Sequence, residues 1–338
     1  MITRRPGAPR SAVAALVMLV AAAAVILVTL AAMQIDPRAA LGALWRGSFG
    51  SWYAITTATL PRAVPFILTG LAVALAFRGG VFNIGAEGQL LVGASAAAAM
   101  AAVLPRLHPG GQNAAVLLLA GAVSGAAWAG IAAWLRRRFD VLEVISTILL
   151  NFVAINLVGY LVRGPLQEPT RIYPQTPMLE GSARLPLLIP GTRVHAGVLI
   201  AIGVAVALWW YLRGRAAGFR VIAVGANPAA AAAAGQIDVP RVTTATFLAS
   251  GALAGLAGAV EVTAVTYALY ENLSPGYGYT AIAVALLARL HPLWVVATGV
   301  LFGALDVGAS AMQRDAGVPA ALVQVVTAVV ILLSLIHI

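Results

Sequence analysis

Asn83, Glu87 and Gln89 stand within the stretch GGVFNIGAEGQ, residues 79–89, of a chain that on either side reads as hydrocarbon. A carboxylate and two carboxamides inside apolar sequence can line a path for a polar solute, relay protons, or hold buried backbone in place. Spacing places Asn83 and Glu87 on one helix face, and Glu143, Thr147 and Asn151 recur every four residues on another. Asn156 falls off that second stripe and reads as packing. Glu261 lies in SGALAGLAGAVE, where Gly251, Gly255 and Gly258 make a small-residue face for tight helix contact. Asn83, Glu87, Gln89, Glu143, Asn151 and Glu261 are therefore the candidates for a translocation pathway. For Glu87 two readings stand side by side: contact with the path, or a cap that fixes helix packing.

Covalent and metal chemistry have little to work with. The 21 basic residues are all Arg, and the chain has no Cys. Those absences remove a P-loop or Schiff-base lysine, a thiolate nucleophile, a cysteine metal site and any disulfide. His108, His195, His291 and His337 are scattered without metalloprotease spacing, so no catalytic residue and no metal site is assigned. The net charge of +10 comes from arginines at the ends of apolar runs, which signals membrane topology and not nucleic-acid binding.

The elements that must position these residues are membrane helices. Hydrophobic residues make up 61% of the chain and charged residues 9%, with a mean hydropathy of +0.95. Runs near 11–33, 61–78, 81–104, 113–135, 141–162, 194–212, 241–266, 279–290, 292–312 and 317–336 predict an all-α, polytopic membrane protein. That is about ten transmembrane helices, the first retained and both termini cytoplasmic. Arg136–Arg138 and Arg213–Arg220 carry most of the orientation. One apolar run ends at Arg78 and the next begins at once, so a broken helix is expected near Gly79–Gln89. Gly79, Gly80, Gly85 and Gly88 would allow the bend and the close packing. Gly164–Arg193 contains six prolines and reads as an external loop. Residues 1–332 form one membrane domain in this reading. Leu333–Ile338, LSLIHI, are spelled by the codons of a common DNA-library adapter and are read as a sequencing artefact.

Residues 218–241, between two spans on the cytoplasmic side, contain a complete short helix. Asn227 is its N-cap, Pro228 its first residue, an alanine run through Ala231 its body, and Gly235 its stop. A smooth, uncharged helix suits a partner's groove better than a lipid surface.

FNIGAEGQ, EVISTILLN, SGALAGLAGAVE and GYGYTAIAVALLARLHP (276–292) occur in that order. On these motifs, over about residues 50–330, the chain resembles permease subunits of bacterial ABC importers. The superfamily is the branched-chain amino acid/ribose/nucleoside one, and the likeness is greatest to its nucleoside (guanosine-type) branch. The resemblance implies a multi-pass subunit of the bacterial cytoplasmic membrane that is no enzyme and binds no cofactor. It implies a cytoplasmic ATPase that uses the ATP, a second and different permease chain, and an external substrate-binding protein. Asn227–Gly235 matches the helix that such permeases seat in the ATPase, although the family usually has polar residues where this helix has only Ala. Gln236 stands between Gly235 and Ile237 where the pattern has Gly then Ile, and Leu142 stands before Glu143 where it has Asn. Simple sugars and branched-chain amino acids are the alternative substrates. A self-sufficient carrier using Glu87, Glu143 or Glu261 as a proton or cation site is the competing class, and the capped helix discriminates against it, because a carrier has no ATPase to engage.

Overall fold

A backbone in lipid must satisfy its own hydrogen bonds, so the apolar runs have little choice but to be helical. The computed structural model describes residues 24, 28–29, 31–107, 113–235, 237–319 and 322. Eleven helices follow one another among them: α1 (Pro37–Ser48), α2 (Trp52–Arg78), α3 (Ala86–Leu107), α4 (Ala114–Phe139), α5 (Glu143–Arg163), α6 (Gly197–Gly214), α7 (Ala216–Ala226), α8 (Pro228–Gly235), α9 (Val239–Thr266), α10 (Tyr277–Leu287) and α11 (Pro292–Ala316). The described residues hold no strand, only isolated bridges pairing Gln175 with Tyr270 and Leu187 with His195.

Seven of these helices, α2 to α6, α9 and α11, are long and apolar enough to cross a bilayer. That is fewer than the ten expected. The runs at 11–33 and 317–336 lie largely outside the described residues, as does 333–338. The run at 279–290 is a true exception: it forms α10, an 11-residue helix. At 1.5 Å per residue α10 is about 16 Å long, half of a hydrocarbon core of about 30 Å. The chain leaves α9 at Thr266, turns back into the bundle, and starts α10 behind Gly276, whose φ of 99° favours glycine. α10 is thus a half-length apolar helix, too short to cross a bilayer by itself.

α9 is the central element, packed against α2, α3 and α4. Its contacts with α3 and α4 are backbone to backbone: a Cβ on Gly255 would run into the carbonyl of Gly121, and one on Gly258 into that of Leu90. The expected small-residue face of Gly251, Gly255 and Gly258 is this contact.

Residues 164–196 pack against the turn that follows α9. Thr176 and Leu179 donate their N–H groups to the carbonyls of Leu269 and Tyr267, both at 2.8 Å. His195 is buried at its end, accepting from the Gly197 N–H through Nδ1, and burial lowers its pKa to about 4. The imidazole is therefore neutral at physiological pH. Because the chain has no native Cys, a single Ile172→Cys in this loop, where the side chain is exposed, reports which side it faces. A membrane-impermeant maleimide should label it on intact spheroplasts. Labelling only after permeabilisation would invert the topology.

Candidate functional site

α2 ends at Arg78 with Gly79 as its cap, and Gly80 takes the left-handed conformation at φ 69°. The chain then runs without helical structure through Ile84, and α3 begins only at Ala86. Asn83 therefore precedes the helix that carries Glu87, and the two share no helix face. The reason lies in what Asn83 bonds. Its Oδ1 accepts from Gly85 N and Gln89 Nε2, and its Nδ2 donates to Gln89 Oε1 and Ser250 Oγ, all at 2.9 Å. The side chain ties the turn to the first residues of α3 and to α9.

Asn151 on α5 does the same from the other side, accepting from Gly88 N at 2.8 Å and donating to Ile84 O at 2.9 Å. Glu143 is paired with Arg136 Nη1 at 2.8 Å, at the turn between α4 and α5. Asn83, Gln89, Asn151 and Glu143 are all buried. Each supplies a hydrogen bond inside a region where an unsatisfied polar group costs several kcal/mol. A Cβ on Gly88 would crowd Asn151, and one on Gly85 would crowd Asn83, Gln89 and Thr147, so these two glycines leave room for the network.

Glu87 is placed differently. Its Oε2 accepts from the Gly278 N–H at 2.7 Å, and the Ser274 side chain bonds it as well. Gly278 lies in the first turn of α10, so the carboxylate meets the positive end of that helix. Glycine is required there, because a Cβ on Gly278 would run into the backbone of Glu87. At the other end of α10, Arg78 Nε donates to Leu290 O at 2.8 Å, which anchors it beside the end of α2. One α10 length, about 16 Å, separates that anchor from Glu87.

On the loop side of Glu87 is a cavity of about 760 Å³, within the range of small-molecule sites. Its polar and aromatic lining comes from Glu87, Asn156, Tyr160, Ser274 and Tyr279, and the Arg163–Glu271 ion pair, 2.7 Å long, stands at the rim. Among the candidates named from sequence, Glu87 lines it. Asn156 does so too, although its offset from the Glu143 stripe had suggested packing. A carboxylate, an amide, hydroxyls and aromatic rings can hydrogen-bond and cover the flat faces of a neutral polar solute.

Glu261 lies apart from this cavity, at the start of the π-helical end of α9, hydrogen-bonded to the Tyr277 hydroxyl. Arg62 donates to the same hydroxyl at 2.5 Å and to Asp306 at 2.6 Å. The cluster joins α2, α9, α10 and α11. Arg62 and Asp306 were visible in sequence as charges inside apolar runs, the signal that singled out Glu87 and Glu261.

α8 has the expected ends: Asn227 Oδ1 accepts from Ala230 N at 3.0 Å, Pro228 follows, and Gly235 closes it. Ala231, expected on the face offered to a partner, is instead buried, because α8 packs on α7 and α9. Ala229 and Ala233, roughly opposite on the helix, are exposed. Upstream, Gly225 of α7 lies against the backbone of Arg78 and Gly79, where a Cβ would strike the Arg78 carbonyl. α7, which leads into α8, thus touches the end of α2 through one backbone contact. Gly225→Ala should lower transport per assembled complex several-fold without releasing other subunits; full transport by this variant would show that the contact transmits nothing.

A profile described as branched-chain amino acid transport system / permease component matches residues 55–335. The glucose ABC transporter permease protein TsgB13 of Haloferax volcanii is 42% identical over 315 residues, 90% of this chain and 82% of that protein. The guanosine ABC transporter permease protein NupP of Bacillus subtilis is 38% identical, covering 86% of this chain and 83% of its own. The nucleoside ABC transporter permease protein NupB of Lactococcus lactis subsp. cremoris is 31% identical, covering 81% and 77%. No solved structure matches the chain.

Proposed function

The chain belongs to the branched-chain amino acid transport system / permease component family, and from that premise we propose that it is the membrane-spanning subunit of an ATP-binding cassette importer that admits nucleosides past Glu87. The observation that carries the reading is the cavity that ends on Glu87 at the tip of the half-helix α10. Its amide, hydroxyl and aromatic groups suit a ribose and a flat base. Similarity to the guanosine and nucleoside permeases supports this substrate class. Simple sugars are the runner-up, because the 42% identical relative is named for glucose.

In this reading the subunit performs no covalent chemistry and binds no cofactor. A cytoplasmic ATPase engages α8 and consumes the ATP, a second permease chain closes the open side of the cavity, and an external binding protein delivers the solute at the 164–196 end. The membrane is the bacterial cytoplasmic membrane, with both termini inside. A proton-coupled carrier has less support, since the Glu87 carboxylate is committed to the Gly278 N–H and Ser274.

The test is uptake in proteoliposomes holding the whole importer. ATP-dependent entry of labelled guanosine should be suppressed at least tenfold by excess uridine or adenosine and little by glucose. Suppression by glucose alone would move the assignment to sugars, and uptake driven by a proton gradient without ATP would overturn it.

A further inference from the structure

A second cavity, of about 740 Å³, lies on the flank of the bundle between α6, α7 and α9, with Leu75 of α2 among its lining. We propose that it holds a phospholipid with an anionic headgroup, from the leaflet on the α8 side. The argument starts from the direction of the groove. On α9 it is lined by Arg241, Ala245, Ala249 and Leu253, a spacing of four that marks one helix face. From Arg241 to Leu253 that face is about 18 Å long, close to the thickness of one leaflet's hydrocarbon in a bilayer of about 30 Å. Val204, Leu208 and Tyr211 of α6 form the facing wall with the same helical period. An acyl chain fits along such a slot in both length and polarity.

Charge identifies the head. Arg220 of α7 and Arg241 of α9 line the groove at its α8 end, both exposed, and neither guanidinium is ion-paired among the described residues; the Asp238 carboxylate accepts from the Arg241 backbone N–H at 3.0 Å, as the cap of α9. Nearby, Arg215 lies 4.0 Å over the ring of Trp210 and Arg213 lies 5.7 Å over that of Trp209. Tryptophan and arginine side by side mark the headgroup level of a bilayer. Two free guanidiniums at that level, above an apolar slot one leaflet deep, suit a phosphate with its chain below. The site also adjoins the segment that leads to α8, because α7 carries Gly225 and runs into that helix.

Native mass spectrometry of the purified full chain, exposed to dioleoylphosphatidylglycerol or dioleoylphosphatidylcholine, tests this directly. The wild type should retain the anionic lipid at least tenfold better. R220Q/R241Q should lose that preference, R220K/R241K should keep most of it, and A249F, which obstructs the slot, should weaken retention of the anionic lipid. Unchanged retention by R220Q/R241Q would overturn the proposal, and so would unchanged retention by A249F, since the arginines would then hold a phosphate without its chain. A disulfide-linked dimer formed through A249C in the membrane would also overturn it, by placing a second copy in the groove.

Discussion

Glu87→Ala should reduce ATP-driven uptake by roughly 10- to 100-fold per assembled complex. The carboxylate accepts the Gly278 N–H at 2.7 Å and is 3% exposed. A charge-assisted hydrogen bond of this kind contributes about 1.5–3 kcal/mol, and its loss leaves a buried donor without a partner. α10 then loses the anion at its N-terminus, and the cavity loses one of the two carboxylates that line it. Glu87→Gln keeps a carbonyl oxygen for Gly278 and removes only the charge, so its uptake should fall severalfold. Both variants should reach the membrane and bind the ATPase, because the Asn83–Gln89–Asn151 network that shapes the turn is untouched. Uptake normalised to assembled complex is the measurement. If Glu87 were only a cap, Ala would lower the amount of complex while each surviving complex transported normally, and normal specific uptake in both variants would remove Glu87 from the path.

The same residue shows how far sequence reasoning reaches. Glu87 stood out because a carboxylate inside an apolar run must be either paired or functional. Its partner did not stand out, being a backbone N–H 191 positions later, and no periodicity encodes such a contact. The seven long spans flanking or following the break were legible because hydropathy and length suffice for a helix that crosses the bilayer. The run at 279–290 was counted among the crossings because hydropathy measures polarity and not depth; the turn at Gly276 that shortens it to α10 lies in φ. Glycine spacing did reveal the α9 face, because close packing of helices demands small residues at a helical period. Asn156 was set aside by its offset from the Glu143 stripe, yet one helix can serve two neighbours. Its stripe of Glu143, Thr147 and Asn151 faces the turn, and the offset position faces the cavity. The Arg62–Asp306 pair, 244 positions apart, is another long-range contact that local pattern cannot supply.

The facing of α8 was illegible for a simpler reason: an alanine run has no polar side to mark. Its outer face is defined only by what it packs against, and that makes Ala233 the decisive position. Ala233→Asp places a carboxylate on the exposed face, opposite the buried Ala231. If the ATPase covers this face, the charge is desolvated without a partner. That costs about 2–5 kcal/mol of association, or roughly 30-fold and upward in affinity. The permease should be made in normal amount, since Ala233 faces away from α7 and α9, but the ATPase should no longer copurify and uptake should fall to background. Ala231→Asp would mislead, because it strikes the packing of α8 on its own chain and would lower both expression and assembly. Ala233→Ser separates the two causes further: it is small and neutral, and should leave assembly and uptake intact. If the ATPase copurifies with Ala233→Asp and uptake stays normal, α8 is a connector, and coupling must enter the membrane domain by another route than Gly225 and the turn at Gly79.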